Sequence, residues 1–97
     1  MTRIFPPVSL IGVPTDIGAG HRGASLGPEA LRIAGLAQAL AGRGVDVRDC
    51  GNLAGPPNPW LPPVDGYRHL AQVVEWNTEL MQASLGQLRD GRMPVVL

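Results

Sequence analysis

The chain has no lysine; all eight of its basic side chains are arginine. They balance eight acidic residues, so the formal net charge is zero at pH 7. Without an excess of positive charge, the sequence has no electrostatic attraction to nucleic acid or to an anionic membrane. Cysteine is almost absent. Cys50 stands alone, which excludes an internal disulfide, and the two histidines form no Cys/His cluster that could hold zinc. This suits a reducing compartment, and a cytoplasmic protein is expected. Aromatic residues are only 4%, so any core must be largely aliphatic. Long apolar runs are also lacking. Val8 to Val13 is interrupted by Ser9 and closed by Pro14, too short for a signal-peptide core or a membrane span.

What is present is enough for folding. Apolar residues make up 44% of the 97, which permits a core and argues against disorder. This length allows one small domain or a piece of a larger one, and buries only about 60–65% of the unfolded surface. Glycine and proline are abundant, at 13 and 10, but they fall at punctuation points without any repeat.

Val8 to Val13 reads as a buried parallel strand ending at Pro14. A polar, glycine-rich loop follows from Thr15 to Gly27. Pro28 suits the first position of a helix, with Gly27 as its cap and Glu29 in the first turn. Leu31, Ala34, Ala37, Leu40 and Ala41 then recur at helical spacing until Gly42 and Gly44 stop the helix. Val45 to Cys50 alternates with period two and predicts a strand near a sheet edge. Gly51 to Pro63 holds five prolines around Trp60, predicting a stiff irregular connection rather than a PxxP ligand. A long helix is expected from Gly66 to Asp90. Its apolar stripe is Leu70, Val73, Val74, Asn77, Leu80, Met81, Leu85 and Leu88, with Trp76 at the margin as a packing or oligomer contact. Glu75 and Glu79 share a helix face and read as solvated charges. Met93 to Leu97 starts a third strand. The order βαβαβ predicts an α/β fold with a parallel sheet.

Gly18-Ala19-Gly20-His21-Arg22-Gly23 fits the G-x-G-x-x-G pattern of dinucleotide-binding proteins. Its setting argues against that use. Pro14, Thr15, Asp16 and Ile17 intervene before the motif's first glycine, and the expected helix start at Pro28 lies five residues beyond Gly23. Helix N–H groups would then miss a pyrophosphate, and Asp16 would repel it. His21 reads as a solvated loop residue. Arg22 either hydrogen-bonds neighbouring carbonyls or shapes a ligand pocket at the carboxyl end of the first strand.

Val8 to Gly18 followed by Arg22-Gly23-Ala24-Ser25-Leu26-Gly27-Pro28-Glu29-Ala30-Leu31-Arg32 resembles the start of the ureohydrolases, manganese enzymes that release urea from guanidino compounds. Arg32-Ile33-Ala34-Gly35-Leu36, Val45 to Leu53 and Gly91 to Leu97 are more similar to bacterial arginases than to agmatinases. The loop from Ala54 to Pro63 departs from the family pattern. The resemblance covers nearly the whole chain and implies the βαβαβ parallel-sheet portion of a three-layer αβα arginase-like domain, its amino-terminal third. It implies hydrolysis of L-arginine to L-ornithine and urea at a centre of two Mn²⁺ ions, which lower the pKa of a bridging water. It also implies a homo-oligomer, a trimer or hexamer.

In that family a run like Pro94 to Leu97 leads into Gly-Gly-Asp-His, whose His is the first manganese ligand. The resemblance therefore places every metal ligand and catalytic residue beyond Leu97, and none is carried onto this chain. Asp16, His21, Arg22 and Gly23 are expected on a family-motif loop near the active face. The 97-residue chain alone is expected to be inactive. The alternatives are an agmatinase or another guanidino-substrate enzyme and, in different classes, a small nucleotide-binding module or an interaction domain using its open sheet edge.

Overall fold

Val8, Ser9, Leu10 and Ile11 have almost no solvent exposure, and with Gly12 they form the first strand, β1 (Val8–Gly12). The computed structural model describes residues 5–97. A strand buried on both faces needs neighbours at both edges and a layer on each side. β1 is the middle of a wholly parallel sheet of order β2-β1-β3, where β2 is Val47–Asn52 and β3 is Met93–Val96. A 3-10 turn (Ala24–Leu26) and two short helices, α1 (Gly27–Ile33) and α2 (Leu36–Gly42), join β1 to β2. The long helix α3 (Leu70–Arg89) joins β2 to β3.

Alternate residues of β1 face opposite layers. Ser9 Oγ donates to Gln87 Oε1 of α3 at 2.7 Å. Gly12, on the other pleat, lies beside the Arg32 side chain of α1. The helices therefore cover both faces of β1, giving the αβα layering. The edge position expected of the second strand holds, and so does the parallel topology.

One arginine locks the amino end of the sheet. Arg92, just before β3, is buried, and its Nη2 donates to Val8 O at 2.7 Å and Asp46 O at 3.2 Å. Its Nε donates to Ser9 Oγ at 2.8 Å, and its Nη1 lies 3.4 Å from Asp46 Oδ2. A single guanidinium fork thus ties the starts of all three strands.

Several boundaries differ from those expected, each for a local reason. The single helix expected after Pro28 is two, because Gly35 adopts a left-handed φ of 92° and turns the chain between them. Helical structure also begins earlier, with the 3-10 turn at Ala24 and with Leu26 rather than Gly27 capping α1. β2 is displaced two residues towards the carboxyl end. Val45 N–H bonds back to Leu40 O at 3.2 Å, so it belongs to the turn that closes α2. α3 starts at Leu70 rather than Gly66, since residues 64–67 form a tight turn in which Val64 and Tyr67 exchange two backbone hydrogen bonds.

The apolar stripe of α3 is largely uncovered. Leu70, Val74, Met81, Leu85 and Leu88 are exposed, whereas Trp76 is buried with Nε1 donating to Pro56 O at 2.9 Å. Trp76 is therefore a packing residue. The accessible surface is 6447 Å², against about 5,300 Å² for a compact monomer of this mass.

Candidate functional site at the carboxyl edge of the sheet

Parallel strands carry all their carboxyl ends to one edge. The order β2-β1-β3 means that the chain leaves β1 towards one side and later returns to its other side. That reversal makes the carboxyl ends of β1 and β3 a topological switch point, the place where open α/β sheets bind ligands. Two loops border this edge: residues 13–23, leaving β1, and residues 53–69, leaving β2.

The two loops are tied together. Asn58 Nδ2 donates to Asp16 O and to Asp16 Oδ1, both at 3.2 Å. Ser25 Oγ lies 3.5 Å from the other carboxylate oxygen, so the buried Asp16 is held by two side chains. The Arg22 guanidinium stacks 4.9 Å from the centre of the Trp60 ring, a cation–π contact at the rim. His69 is buried at the start of α3. Its Nδ1 is 2.9 Å from Ile17 O, and its Nε2 accepts from Leu61 N–H at 3.0 Å.

Below these loops, Gly12 ends β1. Arg32 reaches from α1 to β2, its Nε and Nη2 donating to the two oxygens of Asp49 at 2.8 and 3.1 Å. Its Nη1 donates to Asn52 Oδ1 at 2.6 Å. The bond from Arg32, and after it the Gly51 N–H, hold the Asp49 carboxyl below its ordinary pKa. The same bond raises Arg32. Gly12 is glycine because a Cβ would overlap Asn52 Oδ1, the acceptor that completes this network.

Of the four residues expected near the active face, all lie on the loop leaving β1, but the structure uses them differently. Asp16 is internal and hydrogen-bonded, whereas His21 is exposed. Arg22 packs on Trp60 rather than on neighbouring carbonyls. Gly23 takes φ 139°, beyond the reach of ordinary side chains, and its O accepts from Leu26 N–H to start the 3-10 turn. Ala24 thus follows the glycine motif directly, which corrects the expected gap before helical structure. Even so, a Cβ at Gly18 or Gly20 would meet nothing within 4 Å. Nor would one at Gly23, the motif's third glycine, so that position does not serve the close helix–strand packing it has in a dinucleotide fingerprint.

Sequence reasoning missed Asn58, Trp60 and His69 as members of this edge. The signal available was a polar and an aromatic residue set among prolines, which stiffen a loop enough to present them. Beside His69 lies a groove of about 520 Å³, lined mainly by Leu61, Pro62, Val64, Tyr67 and Leu70, with Asp65 at its margin. Among the described residues, no three His, Cys, Asp or Glu side chains gather where they could hold a metal ion. Glu75 is exposed on α3 and Glu79 partly so. No helix among the described residues is long and apolar enough to cross a membrane.

The fold defines a class: an αβα protein with a parallel sheet whose carboxyl-end loops are tied to each other by side chains. The arginase family model matches residues 6–97, and the chain belongs to the arginase family. The arginase of Bacillus caldovelox is 37% identical over 93 residues, which are 94% of this chain and 31% of that protein. That of Brevibacillus brevis is 33% identical over 90 residues, 93% of this chain and 30% of its own length. The native crystal structure of the Bacillus caldovelox enzyme superposes with a TM-score of 0.84 at 34% identity, over 95% of this chain and 31% of that one. Arginase from Bacillus cereus gives 0.78 at 32% identity, over 95% and 29%. The chain spans about a third of the length of the relatives it matches.

Proposed function

We propose that this chain is the amino-terminal part of an arginase, which hydrolyses L-arginine to L-ornithine and urea. The observation that carries this reading is the superposition on bacterial arginases across 95% of the chain. The relatives matched are named arginases, which favours L-arginine over agmatine. The described residues do not fit a dinuclear metal centre, since their two histidines sit apart from any cluster of carboxylates. A pair of Mn²⁺ ions would therefore depend on ligands supplied after Leu97.

This chain's contribution is a scaffold and one wall. Its sheet fixes the direction in which the segment after β3 leaves, on the same edge as the β1 loop. Asp16, His21, Arg22 and Gly23 lie on that wall, with Arg22 and Trp60 at its rim. The uncovered stripe of α3 fits a surface that further layers of the same domain, or subunits of a homo-oligomer, would cover. The balanced charge and single free thiol fit a cytoplasmic enzyme.

The test is urea release with added Mn²⁺, comparing L-arginine with agmatine. It uses the 97-residue chain and a polypeptide in which the chain continues through the rest of an arginase domain. The longer polypeptide is expected to turn over L-arginine, and the short one is expected to be inert. Turnover by the short chain, or agmatine as the sole substrate, would refute the proposal.

A further inference from the structure

We propose that His69 is a positioning residue, a neutral imidazole latch of one defined tautomer that sets the two carboxyl-edge loops against each other. Ile17 O can only accept, so Nδ1, 2.9 Å away, carries the proton. Leu61 N–H donates to Nε2 at 3.0 Å, so that nitrogen is bare. Only the neutral Nδ1–H tautomer satisfies both bonds. It does so from a buried position, joining a residue after β1 to one after β2. The backbone supports this use. His69 adopts φ 52° and ψ 44°, a left-handed conformation that costs a non-glycine residue free energy. The only other non-glycine residues with positive φ among those described are Trp60 and Asp65, in the same loop.

The latch has a second state. Leu61 O lies 3.1 Å from Nε2. A protonated ring would donate to that carbonyl and give up the Leu61 N–H, so protonation exchanges one side of the Leu61 peptide for the other. Leu61 follows Trp60, which carries Arg22, so the exchange would move the rim of the edge. The ionisable groups on the elements around the ring are Asp16, His21 and Arg22 from the first loop and Asp65, Tyr67 and Arg68 from the second. From α3 the nearest in sequence is Glu75. That this rim faces substrate rests on the arginase reading; the latch itself does not.

Two measurements on the longer polypeptide test it, neither needing activity. Nitrogen NMR of the His69 ring should find Nδ1 protonated and Nε2 bare at neutral pH. The Leu61 amide should be protected from hydrogen exchange, and lose protection on acidification in step with protonation of the His69 ring. In His69→Asn, whose amide can still reach Ile17 O, Leu61 exchange should quicken roughly five- to tenfold, the effect of one lost hydrogen bond. The opposite tautomer, or a Leu61 amide indifferent to both acid and the substitution, would overturn the latch. The ring measurement needs no variant, so misfolding of His69→Asn cannot hide the answer. A correct tautomer without urea release would refute the arginase reading alone; urea release with the wrong tautomer would refute the latch alone.

Discussion

Gly12→Ala probes the junction from which the carboxyl edge is built. The backbone of Gly12 lies outside the left-handed region, so alanine is conformationally admissible there. Space is the obstacle: a Cβ would overlap Asn52 Oδ1 and come within 2.9 Å of Arg32 Nη2. If Asn52 rotates away, Arg32 loses the 2.6 Å bond from Nη1. At this partly exposed site that costs about 1 kcal/mol, below the buried value for a charged donor. Displacing β1 and β2 to make room adds about 1–3 kcal/mol, as overpacking does. The lower entropy of the unfolded alanine chain returns roughly 0.5 kcal/mol. The net expectation is a destabilisation of about 1.5–3.5 kcal/mol, read from urea unfolding midpoints at unchanged slope. The double mutant isolates the cause. With Asn52→Ala already in place, Gly12→Ala should cost less than about 1 kcal/mol, because the clashing oxygen is gone. Equal costs in both backgrounds would refute the explanation.

Two further outcomes follow from the ion pairs. Arg92→Met should destabilise by about 3 kcal/mol, since several acceptors at the amino end lose a shared buried donor. Arg92→Lys should recover less than half of that, because an ammonium lacks the fork; near-wild-type thermal stability of either variant would count against the keystone role. Asp49 has a folded pKa below its unfolded value. Its contribution is therefore fully present above about pH 4 and lost as pH falls through the folded value. Asp49→Asn should lower stability at pH 7, with the difference narrowing as pH falls through the folded value, so parallel acid-denaturation curves for the two proteins would refute the pairing with Arg32.

The elements were legible where sequence signals do not compete. β1 is an apolar run stopped by Pro14, and no alternative structure uses those residues. Val45 is different: it alternates like a strand, yet its N–H completes the turn after α2, so local helix closure took it from β2. The break at Gly35 was hidden because the helical spacing of apolar residues runs straight through it. The edge was harder to read than the elements. Arg32 belongs to one sequence stretch and Asp49 and Asn52 to another, and only the parallel register brings Asn52 opposite Gly12. Asp16 and Asn58, or Ile17 and His69, are likewise joined only once β1 and β2 share an edge. No sequence period encodes such a meeting.

The two ends of the sheet are held by different physics, and the difference points to function. At the amino end one buried guanidinium joins the strands through short bonds, and among the described residues there no non-glycine residue has positive φ. At the carboxyl end the ties run between loops: an amide to a carboxylate, a cation to an indole, and an imidazole between two backbones. All three strained non-glycine residues are in the second of those loops. Strain of that kind persists only where the surroundings enforce it, and it collects where side chains must be held in place for a ligand. Rigid at its base and tethered at its rim, the sheet is built so that the rim can be positioned without disturbing the core.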